Sequence, residues 1–158
     1  MSSVPAEIDV AIAGAGATGL AAALTLAEGG ATVAVFEKQR ALGGTSNFFH
    51  GTFAVESDMQ RERFIDYSRD DAFKNIMEYS HWRANAPLVR AIVDESAATI
   101  AWLKDQGVTF TGQMNTLPGA PSTYHVVEGT GKAVIKALAT QAKSKGAQIF
   151  PGVPVVAL

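Results

Sequence analysis

The order of apolar and polar positions in the first forty residues predicts strand, helix, strand. A short apolar run at residues 10–13 is typical of a buried parallel strand, and residues 17–28 carry leucine and alanine at helical spacing. Two glycines end this helix, and the β-branched run "TVAVF" then predicts a second strand. Glu37 follows that strand directly. The pattern therefore predicts a βαβ unit with an acid at the carboxyl end of its second strand.

The middle of the chain, residues 55–107, is predicted to be mostly helical. Its longer apolar face belongs to a helix with clear ends. Asn85 can cap the amino terminus, Pro87 fits the first turn because its missing N–H is harmless there, and Gly107 lies just past the last turn.

The last third of the chain mixes loop, helix and strand. Glycine and proline over residues 111–123 predict a loop. An apolar stripe then predicts a helix that ends at Gly146, and residues 148–150 and 153–158 are predicted strands. The chain stops in the apolar run "VPVVAL" with no polar cap. We therefore expect a truncated domain whose exposed apolar strand favours self-association.

These elements predict an α/β fold, a Rossmann-like dinucleotide-binding domain with a parallel sheet and a helical insertion. We expect three parts. Residues 1–54 form the βαβ dinucleotide-binding unit, residues 55–128 form a mainly helical insertion and loop, and residues 129–158 form a helix and strands that return to the sheet.

Composition narrows the class of protein. The chain has 158 residues, of which 47% are hydrophobic, and a formal net charge of -2 with scattered basic residues. This profile predicts a globular domain without the basic field that attracts nucleic acid or an anionic membrane. Residues 10–27 carry no charge, but the acids before them and the glycines among them argue against a signal peptide or membrane helix. With no cysteine to form disulfides, we expect a soluble, cytoplasmic protein.

The stretch "IAGAGATG" carries the chemistry. In the G-x-G-x-x-G pattern, Gly14 allows a tight turn, Gly16 lets the backbone approach a pyrophosphate, and Gly19 lets the helix pack closely. The helix begins near Ala17 and Thr18, where unpaired N–H groups and a partial positive charge face the phosphates.

Glu37 completes the dinucleotide fingerprint about twenty residues downstream, where a carboxylate accepts both ribose hydroxyls. The same charge would repel a ribose 2'-phosphate, which argues against NADP. The plain alternative is a glycine-rich turn that binds nothing.

The next segment, "FEKQRALGGTSNFFHG", resembles the flavoprotein continuation of the fingerprint, with an acid-lysine pair and then Gly43, Gly44, Thr45 and Ser46. Together with "IAWLKDQGVTF" and "GTGKAVIKALATQAKSKGAQI", it is similar to the amino-terminal part of the fumarate reductase and succinate dehydrogenase flavoprotein family. The similarity is specific over residues 9–53 and looser between 55 and 128.

The resemblance implies a site for FAD. Thr18 would meet the pyrophosphate, Glu37 the ribose, and Val155 the adenine through its backbone. Membrane-bound members attach FAD through a histidine where this chain has Thr45, so the flavin should be non-covalent; His50 lies five residues too late. Thr45, Ser46, Gly51 and Thr52 would meet the ribityl chain and flavin. The cofactor-binding residues expected are Gly14, Gly16, Ala17, Thr18, Gly19, Glu37, Lys38, Gly44, Thr45, Ser46, Gly51, Thr52 and Val155.

The resemblance also implies the activity of an FAD-dependent oxidoreductase, with hydride exchange at flavin N5 and a C–C bond next to a carboxylate or ketone. The expected substrates are small molecules of the dicarboxylate, enoate or ketosteroid class. In that family the residues that bind substrate and deliver the proton come from later sequence, so no catalytic residue is assigned and the chain alone should be inactive. The alternatives are an NAD-dependent Rossmann dehydrogenase and a non-catalytic nucleotide-binding fragment.

Two further signals predict neither a metal site nor a phosphate loop, although the resemblance places His50 near the flavin and leaves a role for it open. His50, His81 and His125 make no metal-ligand spacing, so no metal site is predicted. The segment "EGTGKA" at residues 128–133 fails the phosphate-loop pattern, because Val126 occupies the first glycine position and Ala133 stands where Ser or Thr is needed.

Overall fold

The computed structural model describes residues 7–115 and 121–157. They form two compact units, one from the two ends of the chain, up to Phe49 and from Gly129 onward, and the other from His50 to Glu128. Along the chain the elements are β1 (Val10–Ala13), α1 (Ala17–Glu28), β2 (Val33–Glu37), a 3-10 turn (Gly44–Asn47), β3 (Gly51–Phe53), α2 (Asp58–Arg61), α3 (Arg69–Tyr79), α4 (Ala86–Asp105), β4 (Phe110–Asn115), β5 (Tyr124–Val127), α5 (Thr130–Ser144) and β6 (Gln148–Pro151).

The first unit is built on a parallel sheet in the order β1-β2-β6. Val35 at the centre of β2 pairs with Ile149 on one side, and Val10 at the start of β1 pairs with Val33 on the other. The rings of Phe36 and Phe150 stack with centroids 5.4 Å apart at the carboxyl ends of their strands. The predicted α/β fold with a parallel sheet is confirmed.

Helices α1 and α5 pack against each other in this unit. Helix α1 presents a face of leucine and alanine and α5 a face of valine, isoleucine, leucine and alanine, and the small alanines allow the two backbones to approach closely. Burying one such leucine stabilises the fold by about 1.5–3 kcal/mol. The buried residues are Leu20, Ala23, Leu24 and Ala27 in α1 and Val134, Ile135, Leu138, Ala139 and Ala142 in α5.

The second unit pairs an antiparallel sheet, in the order β3-β5-β4, with helices α2 to α4. The predicted ends of α4 are confirmed. The Asn85 side chain accepts the N–H of Leu88 at 3.0 Å, Pro87 lies in the first turn, and Gly107 follows the last turn with a positive φ. Helix α3 packs against α4.

Three sequence expectations differ from the structure. Residues 110–115 form a strand rather than the start of a loop, because Phe110 pairs with Val127 and the register shifts before Met114. Part of the predicted loop, residues 116–120, lies outside the described residues. Residues 153–157 are exposed and not in a strand, since Gly152 turns the chain at φ +78 after β6; Leu158 lies outside the described residues. Finally, residues 51–53 pair with β5 of the second unit, whereas the sequence pattern predicts a first part that extends to residue 54.

Candidate dinucleotide-binding site

The turn from β1 to α1 requires glycine at two positions, Gly14 and Gly19. Gly14 adopts φ +100 and donates its N–H to the Phe36 carbonyl at 2.8 Å, which fixes the turn to β2. A Cβ on Gly19 would collide with the Gly14 carbonyl oxygen and lie 3.3 Å from Cγ2 of Ile12. The first turn of α1 therefore rests directly on the glycine turn.

The amino terminus of α1 is open. Its N-cap is Gly16, which provides no side-chain cap, and no acidic residue lies in the first turn. The Ala17 N–H is accepted by Oγ of Ser46 at 3.2 Å, and Thr18 is exposed. A helix terminus of this kind presents N–H groups and a partial positive charge, which suits a phosphate.

Glu37 lies beside this turn with 8% of its surface exposed. One carboxylate oxygen accepts the N–H of Gln39 and the other the N–H of Ala15, both at 2.9 Å. These two backbone donors, Gln39 first, hold the pKa of Glu37 below its usual value despite burial, so the group is ionised at neutral pH. Each oxygen keeps a lone pair with which to accept a ribose hydroxyl.

A cleft of about 270 Å³ opens beside the carboxylate. The N–H of Val153 donates to the Glu37 carbonyl at 2.9 Å, which holds the exposed segment after β6 along the edge of the cleft. This volume lies near the lower end of ligand pockets, so the cleft suits part of a dinucleotide. The lining residues are Ala13, Gly14, Phe36, Glu37, Lys38, Pro154 and Val155.

The 3-10 turn places a second set of predicted cofactor-binding residues, Gly44, Thr45 and Ser46, beside the start of α1. Gly44 and Thr45 are exposed, and the Ser46 N–H donates to the Gly43 carbonyl at 2.9 Å. The Asn47 side chain closes the turn by donating to the Leu42 carbonyl at 2.9 Å. The structure thus brings eleven of the thirteen predicted residues into the first unit, all except Gly51 and Thr52.

Gly51 and Thr52 lie in β3 of the second unit, where they pair with Val126 and His125. A Cβ on Gly51 would collide with the His125 carbonyl oxygen and lie 2.7 Å from the Tyr124 ring, so packing within this unit accounts for that glycine. Their predicted contacts with the cofactor stay predictions.

Sequence reasoning missed a buried polar cluster in the second unit. The side chain of His125 is fully buried, with Nε2 2.7 Å from Oγ of Ser57 and Nδ1 3.2 Å from the Thr123 carbonyl. Since a carbonyl only accepts, Nδ1 carries the proton and Nε2 accepts from the serine hydroxyl. Burial is the main cause that lowers the pKa of His125, and the charges of Lys104 and Arg63 add to it. The spacing Ser57 to Gln60, which forms a capping box, is the available sequence signal. The other two histidines are exposed.

Sequence reasoning also assigned no role to the backbone donors of Ala15 and Gln39 or to Gly131. A Cβ on Gly131 would collide with the Ser46 carbonyl oxygen. Residue type does not reveal a backbone donor, so the roles of Ala15 and Gln39 could not be predicted from the sequence. Gly131 could have been singled out, because it lies in the glycine-containing segment "EGTGKA".

These features fit a dinucleotide. The uncapped helix terminus suits its diphosphate, the bare glycine turn gives the diphosphate room, and the ionised Glu37 suits a ribose. Fold and site together define an α/β dinucleotide-binding protein.

Comparison with known proteins gives the family. The sequence pattern of the family described as FAD binding domain matches residues 9–158, so the chain belongs to that family. This confirms FAD as the cofactor and the predicted resemblance to fumarate reductase flavoproteins.

Two relatives show how far the similarity extends. The vinyl phenol reductase of Lactiplantibacillus plantarum is 39% identical over 151 residues, which are 95% of this chain and 30% of that protein. The NADH:fumarate oxidoreductase of Klebsiella pneumoniae is 33% identical over 119 residues, 72% of this chain and 13% of that protein. The chain therefore spans less than a third of the length of these relatives.

Solved structures share the fold. A flavocytochrome c3 fumarate reductase in an open conformation superposes with a TM-score of 0.83 at 22% identity, over 94% of this chain and 27% of that one. A 3-ketosteroid dehydrogenase from Rhodococcus jostii RHA1 gives 0.82 at 20% identity, over 92% of this chain and 38% of that one. Within residues 7–115 and 121–157, no helix has the length and apolar character needed to span a membrane.

Proposed function

We propose that the chain is the FAD-binding part of an oxidoreductase that holds its flavin without a covalent bond. The observation that carries this proposal is the ionised Glu37 beside an uncapped helix terminus, in a chain of the FAD-binding-domain family. When bound, FAD would supply hydride exchange at flavin N5 with a C–C bond next to a carboxylate or ketone.

The proposal assigns roles to the predicted site residues. The helix terminus at Thr18 binds the pyrophosphate, while the neighbouring Ala17 N–H donates to Oγ of Ser46. Glu37 accepts the ribose hydroxyls, and the backbone at Val155 borders the adenine. Thr45 and Ser46 orient the ribityl chain, with Gly44, Gly51 and Thr52 as further contacts. Lys38 lines the cleft beside Glu37 and offsets the negative charge of the phosphates.

The substrate of the whole protein is proposed from its relatives. Three of the relatives with at least 33% identity are named as a vinyl phenol reductase, an NADH:fumarate oxidoreductase and a digoxin reductase. Vinyl phenol, fumarate and digoxin each contain a carbon–carbon double bond conjugated to a polar or aromatic group, which supports a small-molecule alkene as substrate. Cytoplasmic location and self-association belong to the same proposal.

The test uses the full-length protein. Purified protein should be yellow, acid precipitation should release all the flavin into the supernatant, and a reduced dye should be oxidised when fumarate, a vinyl phenol or a ketosteroid enone is added. Flavin that stays in the pellet contradicts non-covalent binding. A colourless protein that binds NADH instead contradicts the flavin proposal and favours a nicotinamide dehydrogenase. Flavin binding without turnover of any of these substrates contradicts the proposed activity and favours a nucleotide-binding role.

A further inference from the structure

The segment "EGTGKA" at residues 128–133 has a physical role that the phosphate-loop pattern does not describe. Gly129 and Thr130 both adopt positive φ, +78 and +65, and α5 begins at Thr130. This tight entry brings the first turn of α5 against the 3-10 turn, with which α5 packs, and against Phe49, so that α5 meets the segment of residues 44–49.

Gly131 is the point of closest approach. It is buried, and its N–H donates to the Phe49 carbonyl at 2.7 Å. A Cβ at this position would collide with the Ser46 carbonyl oxygen and lie 2.8 Å from Cδ1 of the Phe49 ring. The Thr130 hydroxyl makes a weaker contact, 3.4 Å to the Asn47 carbonyl. One turn of α5 thus contacts three residues of the 44–49 segment, Ser46, Asn47 and Phe49.

The contact continues to the start of α1. Ser46 meets α5 through its carbonyl oxygen, and its Oγ accepts the Ala17 N–H at 3.2 Å. The backbone of Ser46 cannot move away from α5 without changing this hydrogen bond and the position of the neighbouring Thr45. The position of the 3-10 turn therefore depends on the absence of a side chain at Gly131.

We infer that Gly131 is a positioning residue for the flavin end of the dinucleotide. Because it has no side chain, α5 can pack against the turn that carries Thr45 and Ser46 and fix the position of that turn. This inference rests on the proposed function, which assigns these two side chains to the ribityl chain and flavin. The adenosine end is held elsewhere, by Glu37 and the cleft beside it.

The test compares Gly131→Ala with two controls in the full-length protein. Alanine is a better helix former than glycine, so without the contact the substitution would be harmless. Lys132→Ala changes an exposed neighbour in the same turn, and Gly29→Ala places a Cβ at an ordinary 3.4 Å from the Leu26 carbonyl. Dissociation constants are measured for FAD by flavin fluorescence and for ADP by calorimetry, after urea unfolding of the apoprotein confirms that each variant folds.

For Gly131→Ala we expect the dissociation constant for FAD to rise at least about tenfold while that for ADP changes less than about threefold. The visible circular dichroism of the remaining bound flavin should also change. Both controls should match the wild type. If FAD and ADP weaken together, or if neither changes, Gly131 does not position the flavin end.

A milder variant keeps the inference testable if Gly131→Ala fails to fold. Thr130→Val keeps the shape of the side chain and removes its hydroxyl, so FAD binding should weaken about two- to fivefold with ADP unchanged. Unchanged FAD binding by this variant contradicts the inference. Wild-type protein that binds ADP but not FAD contradicts the proposed function and the inference with it, whereas normal FAD binding by every variant contradicts the inference alone.

Discussion

Two glycine-rich segments, residues 14–19 and 129–131, each let the first turn of a helix pack against a backbone carbonyl, but the two contacts serve different functions. In the first, Gly19 lets a helix rest on the Gly14 carbonyl, and the turn so formed faces the cleft. In the second, Gly131 lets a helix rest on the Ser46 carbonyl, and the turn so held carries predicted ligand contacts of its own. A missing side chain can thus create a binding surface or position one. Which of the two roles a glycine has depends on the residues that pack against it, and a sequence motif does not specify those residues.

The largest effect that tests this comparison is expected for Gly19→Ala. Its Cβ would meet the Gly14 carbonyl oxygen, which belongs to the turn itself and cannot move as a flexible side chain would. Overpacking of this kind costs about 1–3 kcal/mol of stability. FAD and ADP should both lose affinity by at least about tenfold. Urea unfolding and the two titrations measure these changes.

This outcome separates the two segments, since Gly131→Ala should affect FAD but spare ADP. Gly29→Ala again serves as the control, because its Cβ makes only ordinary contacts near the end of α1. If Gly19→Ala spared ADP, the first segment would not form the phosphate site.

The next largest effect is expected for Glu37→Gln. The amide nitrogen of glutamine would face one of the two N–H donors, from Ala15 or Gln39, that the carboxylate now accepts. Hydrogen bonds to a charged group contribute about 1.5–3 kcal/mol, so affinity for FAD and ADP should fall about ten- to a hundredfold. Calorimetry of both ligands measures the loss.

Stability gives a second measure at the same position. The pKa of Glu37 is lowered in the folded state, so its contribution is present above the usual carboxyl pKa of 4.5 and is lost as pH falls below it. Glu37→Gln should remove this dependence. Unchanged affinity for both ligands would show that Glu37 only braces the glycine turn.

The sequence predicted the βαβ unit better than the contacts between distant parts of the chain, for a physical reason. The βαβ unit, its glycines and Glu37 follow one another within about forty residues, so local patterns describe them. The cluster of Ser57 and His125 joins residues 68 positions apart, and the contact of Gly131 with Ser46 joins residues 85 apart in sequence number. The sequence around one residue of each pair therefore contains no signal that predicts the other residue.

A smaller effect, outside both glycine segments, is expected from His125. Its folded pKa is lowered, so it stabilises the second unit above pH 6.5, and that contribution is lost as pH falls from 6.5 through the folded pKa. The slope cannot exceed about 1.4 kcal/mol per pH unit for one proton. Both charges that face the ring, on Lys104 and Arg63, are positive and oppose its protonation.

Urea unfolding between pH 5 and 8 measures this dependence, with the exposed His81→Gln as the matched control. The control should keep the loss of stability below pH 6.5, and His125→Gln should flatten it. A wild-type protein whose stability is constant over this range would show that His125 does not change its proton affinity on folding.

The smallest effect is expected at the residue that joins the two glycine segments. Ser46→Ala removes the acceptor of the Ala17 N–H but leaves the Ser46 carbonyl against Gly131. A neutral hydrogen bond contributes about 0.5–1.5 kcal/mol, so FAD affinity should fall about two- to tenfold. Ser144→Ala, which removes an exposed hydroxyl near the end of α5, is the control and should bind FAD as the wild type does. Flavin fluorescence titration measures both. If Ser46→Ala weakened FAD binding as much as Gly131→Ala, the Ser46 hydroxyl would account for the contribution of the turn to FAD affinity. A clearly smaller loss would mean that the packing of the whole turn against α5 contributes more to FAD affinity than this hydroxyl.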